Sequence, residues 1–121
     1  MRIRTTRDVL EDHLRRRATG DLDGDLRKNY DPDVIVLHPD GEDRGHEGIR
    51  RLAGRFSRYQ NDGSFRCHRL LTSGEIGVLE WSGLSGRTDT LMLEGMESFV
   101  VRNGKIAAQT VNYTGAYVAA A

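Results

Sequence analysis

Cysteine is almost missing from this chain. The single thiol, Cys67, excludes an internal disulfide and a cysteine zinc site. Proline is scarce, with 2 residues. Lysine is too: of 18 cationic side chains only Lys28 and Lys105 are lysines, leaving 16 arginines. Net charge is absent, because those 18 cations meet 18 anions. That balance argues against broad nucleic-acid binding, which needs a positive surplus at the phosphates. No long hydrophobic run occurs. Runs such as Val34 to Leu37 are far too short to span a membrane. The stretch from Met1 to Arg17 has no apolar core of a signal peptide, so the expectation is a cytoplasmic protein.

What is there fits one folded unit. The 121 residues predict a single domain over 1–121. A domain of that size buries roughly 60–70 % of its unfolded surface, enough for a core without metal or disulfide staples. With 37 % hydrophobic residues and no net charge, the composition excludes a disordered chain.

The first half reads helical. Thr5-Thr6-Arg7-Asp8 has the form of a capping box. Val9, Leu10, His13, Leu14 and Ala18 follow one buried stripe, and Gly20 ends the helix. Glu11 with Arg15, and Asp12 with Arg16, stand at ion-pair spacing, so the run Arg15 to Arg17 reads as a solvated face. Asp21 caps a second helix carrying Leu22, Leu26 and Tyr30. Asp31-Pro32-Asp33 reads as a turn. Val34 to His38 reads as a strand covered on both faces, broken by Pro39-Asp40-Gly41. A third helix spans about His46 to Tyr59, with Ile49, Leu52, Ala53, Phe56 and Tyr59 on one face. Four β-rich segments follow, at 65–72, 75–84, 90–102 and 105–114, the last two joined by the hairpin signal Asn103-Gly104. Helices first and an antiparallel meander second indicate an α+β fold with helices on one face of a curved sheet.

Four stretches carry a resemblance. They are Gly20 to Gly24 (GDLDG), Asp33 to Gly41, Arg44 to Arg50 (RGHEGIR) and Glu97 to Ile106. In this order and spacing they resemble the nuclear-transport-factor-2-like superfamily, most closely its ketosteroid-isomerase and SnoaL-like polyketide-cyclase branches. The resemblance covers residues 5 to 114. It implies a cone-shaped barrel, with three N-terminal helices packed on a curved, mostly antiparallel sheet that encloses a pocket. It also implies a small hydrophobic ligand, no cofactor or metal, and a homodimer packed sheet on sheet. The isomerase branch places a tyrosine, a carboxylate base and a protonated acid where this chain has His13, His38 and Glu97. All three positions are polar here, and none keeps the isomerase residue type. A histidine with an acidic group is closer to the usage of the cyclase branch.

Each of these residues has a plainer reading beside the chemical one. His13 lies on an apolar stripe, as a core histidine does; as a site residue it would donate to a substrate carbonyl or enolate. His38 is either a strand-end histidine or a base for a proton α to a carbonyl. Glu97 alternates with Leu93, Gly95, Phe99 and Val101, so it faces either the pocket or an interface where it pairs with arginine. Buried in the pocket, its pKa would rise. The three together have the content of a two-histidine, one-carboxylate metal site, but no i,i+4 histidine pair anchors one. Phe56, Trp81, Phe99 and Tyr113 are candidate substrate-binding walls as well as ordinary core. Two functions follow: acid/base chemistry of the isomerase or cyclase type, or a non-catalytic ligand-binding or dimerisation module.

Overall fold

A computed structural model describes residues 3–60, 65–84 and 91–117, with the side chains of 55–60, 84, 91, 92, 116 and 117 left aside. The first helix, α1, covers Thr6–Ala18. Its capping box forms as read: Asp8 N donates to Thr5 Oγ1, and Thr5 N donates to Asp8 Oδ2, each at 3.0 Å. Val9, Leu10 and His13 of its inner stripe are buried. The pair Glu11–Arg15 does not form. Glu11 meets Arg7 instead, and Asp12 takes both Arg15 and Arg16. α2 covers Leu22–Asn29 and is capped by Asp21, whose Oδ1 accepts from Gly24 N at 3.0 Å.

β1 runs Tyr30–His38, β2 Gly41–Arg44 and α3 Gly45–Gln60. The meander follows as β3 (Arg66–Ser73), β4 (Ile76–Leu84), β5 (Leu91–Arg102) and β6 (Lys105–Tyr117). The strand order is β2-β1-β6-β5-β4-β3, an unclosed sheet. Only β1 and β6 run parallel; the other pairings are antiparallel. Asn103 and Gly104 both take positive φ, 53° and 74°, as a two-residue hairpin with the sheet's own twist requires.

Two expectations about β1 need correction. Asp31-Pro32-Asp33 is not a turn between elements. It lies inside β1, where the register against β6 shifts between Tyr30 and Ile35. Its turn chemistry survives as a local bond, Asp33 N donating to Asp31 Oδ1 at 2.8 Å. Nor is the strand covered on both faces. Val34 and Val36 are fully buried, but Leu37 is 50 % exposed. The helices lie on one side only, so residues alternate between core and outer face. The core is built from Val9 and Leu10 of α1, Leu26 of α2, Val34 and Val36, Ile49 and Leu52 of α3, and the inner residues of the meander.

Candidate functional site

Between α1, α3 and the inner face of the sheet lies a cavity of about 490 Å3. That is within the range that encloses a small organic molecule. Its wall is largely apolar, with Leu14, Ile49, Leu52, Phe65 and Leu79. Its polar groups are His13, Arg15, Arg17, Tyr30, Cys67, Glu97 and Gln109.

His13 belongs to a buried pair. Its Nδ1 stands 2.7 Å from Asp25 Oδ2, and the Asp25 side chain is fully buried. A carboxylate accepts only, so Nδ1 carries the hydrogen and Nε2 is the remaining basic nitrogen. Tyr30 and Phe99 meet the ring edge-on, both with centroids at 5.7 Å. Asp25 is fixed from behind: Asn29 Nδ2 donates to its Oδ1 at 2.9 Å and to Asp12 Oδ2 at 2.8 Å. Arg4 Nη1 donates to Asn29 Oδ1 at 2.7 Å. Burial pushes the Asp12 carboxyl up, but bonds from Arg16, Asn29 and Arg15 outweigh it and hold the group well below the usual carboxylate range. The histidine is thus oriented by a hydrogen-bonded chain through Asp25 and Asn29 of α2.

Glu97 arrives from β5, on the inner face of the alternation. Gln109 of β6 donates Nε2 to Glu97 Oε1 at 2.7 Å, and its own Oε1 accepts from Tyr30 at 2.5 Å. Glu97 lies deep in the molecule yet touches the cavity. Burial drives its pKa up, against the opposing pull of His13, Gln109 and Arg17. Tyr30 is raised much further by burial and by Asp25. An acid whose pKa burial raises, Glu97, and a histidine bonded to a carboxylate therefore face one cavity.

The remaining candidates are placed elsewhere. His38 does not reach this cavity. Its Nε2 bonds Asp43 Oδ2 at 2.8 Å, Asp40 N donates to its Nδ1 at 3.2 Å, and its side chain is 4 % exposed. Asp43 also accepts from Arg51 Nε at 3.0 Å. Both ring nitrogens are engaged by the β1–β2 turn, which leaves no lone pair for a substrate proton. Since His38 stands apart from His13 and Glu97, the two-histidine, one-carboxylate metal set does not assemble. No group of three metal-ligating side chains occurs among the described residues. Phe99 is buried beneath His13. Trp81 packs between Phe65 and Tyr113, with centroids at 5.5 and 6.3 Å, and neither Trp81 nor Tyr113 lines the cavity. The Phe56 side chain lies outside the described residues.

Two site residues escape a reading of the sequence. Asp25 stands in the charged stretch Asp21 to Lys28 and looks like one more solvated acid. Gln109 carries one signal, a polar side chain two residues before Val111 on the inner face of a strand.

Comparison with known proteins agrees with this fold. The chain belongs to the family of SnoaL-like domains, whose model matches residues 10–109. Among solved structures, a Mesorhizobium loti protein described as a SnoaL-like polyketide cyclase is 16 % identical, over 89 % of this chain and 98 % of that one, with a TM-score of 0.65. A nuclear-transport-factor-2-like protein of unknown function from Burkholderia xenovorans is 22 % identical, over 95 % and 87 %, with a TM-score of 0.74. TerC, co-crystallised with polyporic acid, is 21 % identical, over 90 % and 91 %, with a TM-score of 0.72. At such identities the likeness shows the fold. No curated protein matches the chain.

Proposed function

We propose that the cavity binds a small, largely apolar carbonyl compound and moves a proton on it. The observation that carries this reading is the meeting of His13, backed by Asp25, with Glu97 on one cavity wall. In this reading His13 Nε2 takes a proton from the carbon α to the carbonyl. The C–H pair becomes the enolate double bond, and the Glu97 carboxyl donates to the developing oxyanion. Return of the proton to a second carbon completes an isomerisation; attack of the enolate carbon on a second carbonyl completes a cyclisation. TerC and the Mesorhizobium protein make ring-bearing, carbonyl-rich molecules reasonable first substrates to try.

The test is deuterium exchange. The protein is incubated with bicyclic aryl ketones in heavy water, and label at the α-carbon is read by mass spectrometry. We expect exchange above the buffer rate. It should fall about 100-fold or more in His13→Ala, and less steeply in Glu97→Gln. Exchange unchanged in His13→Ala sinks the base assignment. A ketone that binds without exchanging leaves the alternative, a binding module with no turnover.

We propose, too, that the protein works as a homodimer joined through the outer face of its sheet. Two rows support this. One, Ile76, Val100, Ala108 and Ile35, is apolar throughout; the other carries Leu71, Val78 and Leu37, with Ser98 and Thr110 between Val78 and Leu37. Leu37, Leu71, Ile76 and Met96 are each 47–59 % exposed. Such a patch is characteristic of an interaction surface.

A further inference from the structure

The three consecutive arginines of α1 do not share one fate. Arg15 donates to Asp12 at 3.1 Å. Arg16 donates to Asp12 at 2.8 Å and to Asp21 at 2.7 Å. Arg17 is half-buried and lines the cavity, and its guanidinium has no hydrogen bond or ion pair among the described residues. It stands four residues after His13, one helical turn and about 6 Å further along the axis. The neighbouring Ala18 and Thr19 are exposed, which puts Arg17 at the outer end of this wall. Its charge acts inward: burial raises the pKa of both Tyr30 and Glu97, and Arg17 opposes that rise in each.

A guanidinium presents a planar fork of donors that suits a carboxylate or sulfonate, two bonds at once. Left without a partner beside an apolar cavity, it keeps those donors for whatever enters. The inner end of the cavity has the opposite character. The buried Asp25 and Glu97 place two acidic groups there, so a second anion would be crowded against them and poorly solvated. Between the two ends the wall is Ile49, Leu52, Phe65 and Leu79. From this polarity we propose that the ligand is an amphipath, an apolar ring-sized body bearing one anionic group that Arg17 binds, with its uncharged end against His13 and Glu97. This rests on the cavity being a binding site.

The experiment uses two aromatic probes of one body. Anilinonaphthalene sulfonate is anionic, and phenylnaphthylamine is its neutral counterpart. Occupancy is read from the protection of Cys67, the chain's only thiol and part of the same wall, against iodoacetamide. We expect the sulfonate to bind about tenfold tighter than the neutral probe. Arg17→Gln should erase that preference without weakening the neutral probe, and Arg17→Lys should keep part of it. A wild-type protein that binds both probes equally, or a preference that survives Arg17→Gln, overturns the anion assignment and leaves the cavity reading standing. Cys67 is exposed at the cavity rim, so probe fluorescence is read beside it; if neither probe protects Cys67 nor brightens with the protein, the cavity reading falls and this inference with it.

Discussion

Burial raises the pKa of Glu97, and the sign of that effect on stability can be worked out. In the unfolded chain a glutamate ionises near pH ~4.3. In the folded protein its pKa is raised. Below the unfolded value both states hold the proton and Glu97 does no harm. As pH rises, the unfolded chain loses its proton first, so stability falls until the folded pKa is passed. Around it stand His13 and Arg17 from α1, Tyr30 from β1 and Gln109 from β6. Glu97→Gln should therefore be more stable than wild type at pH 7 and equal to it near pH 4, measured by urea denaturation at both. A gap of the same size at both pH values would contradict this. Asp12, Asp21 and Asp43 have lowered pKa values and the opposite sign: their contribution is present at neutral pH and is lost on acidification. At this scale the sequence was half legible. His13 betrayed itself by a polar side chain on an apolar stripe, and Glu97 by strand alternation. Asp25 did not, because an acid on a short charged helix looks the same whether it faces water or a histidine. His38 misled, since Asp40 and Asp43, two and five residues on, capture both its nitrogens.

Elements whose chemistry is local were readable, and elements made by their neighbours were not. Thr5 and Asp8 cap α1 using only each other, and Asn103-Gly104 turns the last hairpin by its own dihedrals. β2 is Gly-Glu-Asp-Arg, a stretch with little β-propensity, and it is a strand because Ile35 to His38 pair with it. Asp31-Pro32-Asp33 carries real turn chemistry, which the pairing of β1 with β6 overrides. Gly95 on β5 shows the same dependence on a neighbour. A Cβ there would stand 2.3 Å from the Trp81 ring, which is itself buried. Gly95→Ala should destabilise the fold by about 1–3 kcal/mol, seen as a lower midpoint in urea. A midpoint within error of wild type would mean that the indole moves aside freely.

At the scale of the molecule, the two faces of the sheet have different tasks. The inner face closes the cavity and the outer face presents the rows through Leu37 and Ile76. Placing a charge on each row, with Leu37→Asp and Ile76→Asp together, should convert a dimer to a monomer in sedimentation velocity. The cavity groups lie on the other face, so Cys67 alkylation should still be blocked by bound probe. If the wild-type protein already sediments as a monomer at high concentration, the dimer proposal is wrong.

The parallel pairing of β1 with β6 has a consequence for how the chain is made. Tyr30 meets Ile106, and Leu37 meets Thr110, so an early strand waits for the last one. A ribosome delivers residues one after another, at roughly 5–20 per second. During that interval α1 and α2 have no finished sheet to cover, and the edge of β1 that pairs with β6 has no partner strand. Contacts this distant in sequence are also slow to close. Gln109, which holds Glu97, arrives on that same final strand. The β1 edge is thus open for seconds before the cavity can be completed, so the cavity is a property of the whole chain and of no shorter piece of it.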